Sequence, residues 1–362
     1  MKKKMKILYL MCCEWNWIFQ RPHIFALELE KYFDCTVINK KILFSKKTTV
    51  KNRKPKKLIN ILQLRGEGKL YIIRIINYVY MKIRLSHFTN YDIIWTNYPN
   101  QIELLNNKYK GIVVYDCMDN YESMTDIRTK KEVVKNEIKL INRSNIVFTS
   151  SDYLRKRILS KNPEKKVRLV RNGSYGKING KPKEAEEKIN YRICYIGTIS
   201  KKWFDFNLLE LTKDYFENIS YALIGPLDEI NQIDCSKYID YLGVVEHKNL
   251  DKYIERFDAV IMPFVVNETV LAVDPVKLYE YISFGKCIIS IWYPEIDRFS
   301  KFVYFYSNKD EYISLLRMLI SNKFKPKYNE NDQNYFLNNN TWQNRSKIIV
   351  DEIDKIINDE RQ

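Results

Sequence analysis

Three times in the second half of the chain a short apolar run ends on glycine. Tyr191–Ile196 is followed by Gly197, Tyr221–Ile224 by Gly225, and Ile239–Leu242 by Gly243. Short apolar, β-branched runs bounded by turn residues read as buried strands. A glycine at the strand end permits a tight turn and lets a ligand approach the backbone. Further strands are expected at Ala259–Pro263, Cys287–Ser290 and Phe302–Tyr306, with a helix at Val276–Ser283. The first half carries the same alternation. Its strands are Lys6–Cys12, Cys35–Ile38, Tyr91–Thr96, Gly111–Tyr115, Ile146–Ser150 and Val167–Arg171, and its helices Pro22–Tyr32, Lys130–Asn142 and Tyr153–Leu159. Strands alternating with helices predict parallel sheets covered on both faces. The expected class is therefore α/β, with two doubly wound domains whose strand C-terminal ends face a central cleft. The first domain spans 1–176 and the second 189–340. The polar stretch 177–188 lacks apolar periodicity and reads as a linker. Residues 341–362 carry Ile348, Ile349, Ile353, Ile356 and Ile357 on an amphipathic helix. That helix either closes the second domain or crosses back to the first.

A length of 362 residues suits two or three domains of roughly 100–200 residues. No apolar run approaches the ~18 residues of a membrane span. The run Ile7–Cys13 stops at Glu14 without a small-residue cleavage site, so it reads as a first strand rather than a signal peptide. A cytoplasmic location is the expectation. The seven cysteines are scattered, with no C-x-x-C pair, which predicts reduced core thiols rather than a zinc or redox site. His87 and His247 read as surface or core residues without a functional role.

The net charge of +17 is unevenly spread. From Lys40 to Arg84 fourteen Lys or Arg face one acid, Glu67, so this segment contributes 14 − 1 = +13. Such a patch attracts nucleic acid, an anionic membrane surface or acidic substrates. No nucleic-acid recognition motif accompanies it, and no nucleic-acid partner is expected. Within it, Tyr71–Tyr80 is apolar and β-branched. That stretch reads as a core helix, a core strand or a segment lying on an anionic membrane.

The densest chemistry lies in Asp274-Pro275-Val276-Lys277-Leu278-Tyr279-Glu280-Tyr281-Ile282-Ser283-Phe284-Gly285-Lys286. Pro275 suits the first turn of a helix, where its missing N–H costs nothing. The helix N-terminus then offers N–H groups and a positive dipole end to a diphosphate. Lys277 and Glu280, three apart, share one face. One suits phosphate and the other a ribose diol. An ordinary surface ion pair would show the same spacing. Leu278, Tyr281 and Ile282 fall on the buried side, and Gly285 ends the helix.

This segment resembles the donor-binding helix of glycosyltransferase family 4, where P-x-K-x-x-E-Y-x-x-x-G-K precedes a strand. Other pieces resemble, in order, markers of the bacterial teichuronic-acid and capsular polysaccharide glycosyltransferase subgroup. These are Trp15 through Arg21-Pro22-His23, Tyr115-Asp116-Cys117-Met118-Asp119, Ser150-Ser151, Arg171-Asn172-Gly173, and Tyr195-Ile196-Gly197-Thr198-Ile199 with Trp203 and Asp205. The resemblance implies a GT-B fold of two Rossmann-like domains. It implies a retaining, metal-independent transfer without a cofactor, from a UDP- or GDP-sugar to a lipid-linked or polysaccharide acceptor at the cell envelope.

Carried over by position, Glu280 would bind the ribose, and Lys277 with the N–H groups after Asp274 and Pro275 the diphosphate or sugar. Leu278 belongs to the same donor-binding helix. Gly197 and Thr198 would approach the diphosphate through backbone, Lys201 or Lys202 would neutralise its charge, and Val244 and Val245 would lie near the base. Many members carry a second glutamate eight residues before the ribose-binding one. Here that position is Ala272, and Asp274 or backbone groups are the candidate substitutes. On the acceptor side, Trp15 could stack on a sugar, Arg21 suits phosphate, and His23 sits with them. Asp116 and Asp119 could hydrogen-bond an acceptor hydroxyl, though aspartate is also common in strand-end turns. No catalytic residue is named, because the leaving phosphate oxygen would itself take the acceptor's proton. The competing readings are an inactive partner protein, which Ala272 keeps open, and a basic nucleic-acid-binding protein. A nucleotide-sugar epimerase would want G-x-G-x-x-G after the first strand, and Met11-Cys12-Cys13-Glu14 offers none.

Overall fold

The computed structural model describes residues 4–43, 52–66, 70–86, 88–183, 186–228, 230, 232–233, 236–246 and 249–359. His87 and His247 lie outside the described residues. Contacts divide the chain into two compact units, 1–172 with 342–362, and 173–341.

The first unit contains β1 (Lys6–Leu10), α1 (Arg21–Leu29), β2 (Asp34–Ile42), β3 (Leu58–Gln63), α2 (Tyr71–Arg84), β4 (Ile93–Thr96), β5 (Ile112–Cys117), α3 (Tyr121–Met124), α4 (Ile127–Arg143), β6 (Ile146–Thr149), α5 (Asp152–Lys161) and β7 (Val167–Leu169). Its strands form one all-parallel sheet in the order β3-β2-β1-β4-β5-β6-β7. The central strands are buried along nearly their whole length and are mostly apolar. Ile7, Tyr9, Ile93, Trp95, Val113, Tyr115 and Val147 are buried, as a sheet covered on both faces requires. Tyr9, Trp95 and Phe148 stack in sequence across neighbouring strands.

The second unit contains β8 (Tyr191–Ile196), β9 (Ile199–Ser200), α6 (Phe206–Thr212), β10 (Ile219–Ile224), β11 (Leu227–Asp228), β12 (Ile239–Gly243), α7 (Leu250–Ile254), β13 (Ala259–Met262), α8 (Glu268–Leu271), α9 (Val276–Ser283), β14 (Cys287–Ile291), β15 (Val303–Tyr306), α10 (Lys309–Ser321) and α11 (Glu330–Asn339). Six parallel strands run in the order β12-β10-β8-β13-β14-β15, and β9 pairs β11 in a small ladder beyond. The terminal helix α12 (Trp342–Asp359) is counted with the first unit. Its Trp342 meets Phe25 of α1 edge-on, with ring centroids 5.5 Å apart.

In both large sheets the first strand lies inside the order, and the chain winds outward from it in both directions. The crevice at that reversal, at the strands' C-terminal ends, is where doubly wound sheets bind ligands. It lies between β1 and β4 in one unit and between β8 and β13 in the other.

Within the stretch expected to be a linker, residues 179–182 are docked on the second unit. Asn179 and Gly180 donate their backbone N–H groups to Ser283 O, and Gln333 donates its side-chain amide to Gly180 O at 2.8 Å. The helix-ending Gly285 (φ +68°) has no room for a side chain because Lys181 and Pro182 lie against it. A polar stretch without periodicity can be held this way, by backbone hydrogen bonds rather than an apolar face. Among the described residues no helix is long and apolar enough to cross a membrane.

Candidate functional site

In the second unit the three strand-end glycines are laced together across the sheet edge. Gly197 donates its N–H to Ile224 O, and Gly225 donates to Gly243 O, both at 2.8 Å. Gly197 (φ +147°) and Gly225 (φ +140°) hold conformations that side-chain-bearing residues rarely adopt. A Cβ on Gly225 would overlap the Gly197 carbonyl, so the two turns touch backbone to backbone.

Helix α9 delivers its residues to this edge. It begins at Val276 with Pro275 as the N-cap residue, one position earlier than a first-turn proline. Leu278, Tyr279, Tyr281 and Ile282 anchor it in the core. Tyr281 reaches the crevice between β8 and β13. Its hydroxyl accepts from Ile196 N–H at 3.0 Å and lies 3.2 Å from Ile261 O, to which it donates. This fixes the height of the helix against the sheet.

Lys277 consequently lies over Gly197. A Cβ on that glycine would overlap Lys277 Cε and Nζ, and the ammonium sits 5.8 Å from the centroid of the Tyr195 ring. Burial pushes the Lys277 pKa down from the ordinary lysine value, and Glu280 opposes the shift. Glu280 is partly exposed, one turn on. Thr198 is partly exposed, and its carbonyl accepts from Tyr195 OH at 2.9 Å and from Trp203 Nε1 at 3.4 Å. The structure thus brings together Gly197, Thr198, Lys277 and Glu280, four of the donor-side candidates.

Other donor-side candidates stand apart. Lys201 and Lys202 are exposed on the turn after β9. Val244 is exposed, and Val245 packs against the core. Leu278 is fully buried, so it holds the helix rather than lining an open surface. Asp274 is also buried. Arg298 pairs with it, and Tyr279 OH donates to it at 3.3 Å. The Arg298 guanidinium lies 4.0 Å from the centroid of the Phe299 ring. Asp274 is therefore engaged in a core ion pair rather than presented to a sugar in place of the glutamate replaced by Ala272. Arg298, which follows Asp274 by 24 residues, carries no sequence pattern that would have announced this partner.

The acceptor-side candidates cluster at the corresponding edge of the first unit, but mostly as structural groups. The Arg21 guanidinium donates to both Asp116 oxygens from Nε (3.2 and 3.1 Å) and again from Nη2 (2.7 Å). Its Nη1 donates to Val170 O at 2.8 Å and Asn172 Oδ1 at 3.1 Å. The side chains of both partners are buried, Asp116 completely. Arg21 and Asp116 thus tie α1 to β5 and to the loop after β7, rather than offering themselves to phosphate or a hydroxyl.

Trp15 is 1% exposed, with Nε1 donating to Arg53 O at 3.1 Å, so neither ring face is open to a sugar. His23 is buried. Its Nδ1 accepts from Gln20 N–H at 3.4 Å, and Nε2 donates to Trp15 O at 3.1 Å. Burial lowers its pKa from the usual value of 6.5, so this neutral tautomer caps α1. Loop residues carry no periodicity, and spacing alone could not separate buried from open positions among them.

Asp119 differs. It is partly exposed two residues after β5, and desolvation, opposed by Arg21 and reinforced by Asp116, raises its pKa to about 6. A carboxyl perturbed in this way is a functional-site candidate. A cleft of about 790 Å³ opens elsewhere in this unit, lined among others by Tyr71, Arg74, Glu103, Glu132 and Arg143. It includes no residue of either cluster.

No protein-family model matches the chain. It is 25% identical over 245 residues to a Bacillus subtilis (strain 168) protein provisionally named teichuronic acid biosynthesis glycosyltransferase TuaH. The match covers 62% of this chain and 61% of that relative, less than two thirds of its length. Among solved structures, sucrose-phosphate synthase from Thermosynechococcus elongatus is similar with a TM-score of 0.73 at 10% identity, over 98% of this chain and 99% of that one. Anabaena HepE in complex with UDP and glucose is similar at 0.69 and 12% identity, over 97% and 99%. With its two parallel, doubly wound sheets, the chain has the GT-B fold of two Rossmann-like domains, and it is similar in sequence to a bacterial polysaccharide glycosyltransferase.

Proposed function

We propose that the protein is a glycosyltransferase that moves a sugar from a UDP- or GDP-sugar to a growing, lipid-linked cell-surface polysaccharide, with retention and without a metal or cofactor. The observation that carries this reading is the seating of Lys277 over Gly197, beside the β8–β13 crevice and on the same helix as Glu280. A partly desolvated ammonium, a close-approach glycine and a helix N-terminus suit a diphosphate. A carboxylate one turn on suits a ribose diol. The likeness to TuaH supports a polysaccharide acceptor, and the UDP and glucose bound by HepE support a UDP-sugar.

In the proposed reaction an acceptor hydroxyl attacks the anomeric carbon while its bond to the phosphate oxygen breaks. That oxygen takes the hydroxyl proton. Charge grows on the leaving diphosphate, where Lys277 and the first amides of α9 would meet it. Glu280 would hold the ribose, and Asp119 is the acceptor-side group best placed to orient a hydroxyl.

The second reading, an inactive partner protein, rests on Ala272, which stands where many glycosyltransferase family 4 members carry a glutamate. The test is nucleotide release from a panel of UDP- and GDP-sugars, with and without lipid-linked oligosaccharide. Release that rises with acceptor, together with a mass increase of one sugar on that acceptor, is expected. Nucleotide binding without any release would favour the inactive partner, and absence of both would end the reading.

A further inference from the structure

A helix on the surface of a folded unit normally buries its apolar stripe and turns its polar one to water. Helix α2 does the reverse. Its inward side carries Asn77, whose amide donates to Leu64 O (3.0 Å) and accepts from Leu64 N–H (2.8 Å), and Arg74, which pairs with Glu132. Met81 and the following Leu85 are the buried apolar residues on that side, with Ile73 partly buried at its margin. At 3.6 residues per turn, Ile72, Ile75, Ile76, Val79 and Ile83 fall within an arc of roughly 100° on the opposite side. All five are exposed, Ile72 by 61% and Ile83 by 64%. Tyr71 and Lys82 border this arc on one side, Tyr80 and Arg84 on the other, and all four are exposed. Leu62 and Leu64, at the end of edge strand β3, are exposed as well.

We propose that this face of α2 is a membrane-docking surface that lies in the headgroup layer of an anionic phospholipid bilayer. The helix has 14 residues and is roughly 21 Å long, too short to span but long enough to lie in the interface. Aliphatic side chains flanked by tyrosine and basic residues match that layer from hydrocarbon outward. Charge selects the occupant. The face sits within the segment of net charge +13; Lys82 and Arg84 are exposed on α2 itself, and Arg53, Lys54, Lys56 and Arg65 are exposed elsewhere in the segment, while Lys57 pairs with Asp34. Pairing two copies through it would bring like charges together. An anionic bilayer supplies the opposite charge around an apolar interior, with each nearby basic residue contributing ~1 kcal/mol, about a fivefold gain in partition. The inference rests on α2 alone and does not require the donor-site reading.

The test is vesicle flotation of the full chain with phosphatidylcholine alone and mixed with phosphatidylglycerol. The expected result is binding to the mixed vesicles that weakens with salt. Ile72→Ser with Val79→Ser and Ile83→Ser should lower it about tenfold or more, and Lys82→Glu with Arg84→Glu should erase the preference for anionic lipid. Both variants should melt at the wild-type temperature, since every changed side chain is exposed. Undiminished flotation of the serine variant, or equal binding to neutral vesicles, would overturn the proposal. So would a wild-type dimer that the serine changes dissociate without any effect on flotation, which would assign the face to a second copy.

Discussion

Replacing Lys277 with alanine is expected to lower turnover with the preferred nucleotide-sugar about 10²–10³-fold, with little change in melting temperature. Removing one preorganised donor from developing negative charge costs about 2.7–4 kcal/mol of transition-state stabilisation. On the proposed reading Lys277 would be that donor, because its ammonium lies over Gly197 and 5.8 Å from the centroid of the Tyr195 ring. Its pKa lies below that of an ordinary lysine because burial disfavours the ammonium, with Glu280 partly restoring it. A diphosphate restores it further, so binding and protonation are linked. The sign follows directly: as pH rises, the charge is lost earlier than on an exposed lysine, and donor affinity falls with it. That alkaline limb should disappear in Lys277→Ala. Initial rates over a pH series read both effects, with kcat expected to fall more than KM rises. A variant that kept wild-type kcat would remove Lys277 from the reaction.

The second large effect is on stability. Arg21→Ala is expected to destabilise the first unit by about 3–5 kcal/mol, because it leaves the fully buried Asp116 carboxylate without its ion-pair partner. At roughly 2–4 °C per kcal/mol for a unit of this size, the melting temperature should fall by roughly 6–20 °C. Arg21 also donates to Val170 O and Asn172 Oδ1 and lies 4.6 Å from the Phe25 ring centroid. One truncation therefore loosens α1, β5 and the loop after β7 together. Arg21→Leu combined with Asp116→Asn should cost less than the two changes summed, as expected for one coupled pair. Calorimetric melting of the four proteins reads this directly. An Arg21→Ala protein that melts as wild type but has lost acceptor use would return Arg21 to acceptor binding.

These expectations separate what local spacing can carry from what it cannot. The boundaries of α9 and the strand-end glycines were legible because apolar periodicity and glycine chemistry are local properties. Edge strand β3 was not expected, since Leu58–Gln63 is half exposed and interrupted by Asn60, which blurs its alternation. Tyr71–Tyr80 was open between helix and strand because a short run dense in β-branched and aromatic residues suits a strand as well as one face of a helix. Only the inward placement of Asn77 and Arg74 decides it.

The site was legible in part for the same reason. Glu280 and Lys277 share a helix face by spacing, but the contact between Lys277 and Gly197 spans 80 residues of sequence and appears only in the fold. Asp274 was assigned to the ligand because its partner Arg298 belongs to a different element. Trp15, His23 and Arg21 lie in or just after a loop, where hydrogen bonds to Arg53, Gln20 and Asp116 decide burial and no periodicity reports it.

Calorimetric titration of UDP and GDP into the wild-type protein and Glu280→Ala tests the central claim, that the second unit's strand-end edge is a nucleotide-sugar site. Wild type should bind one of the two nucleotides. Glu280→Ala, with an unchanged melting temperature, should bind it about 10–100-fold more weakly, the loss of charged hydrogen bonds worth about 1.5–3 kcal/mol. Nucleotide binding that is measurable and unchanged by the substitution would contradict the site.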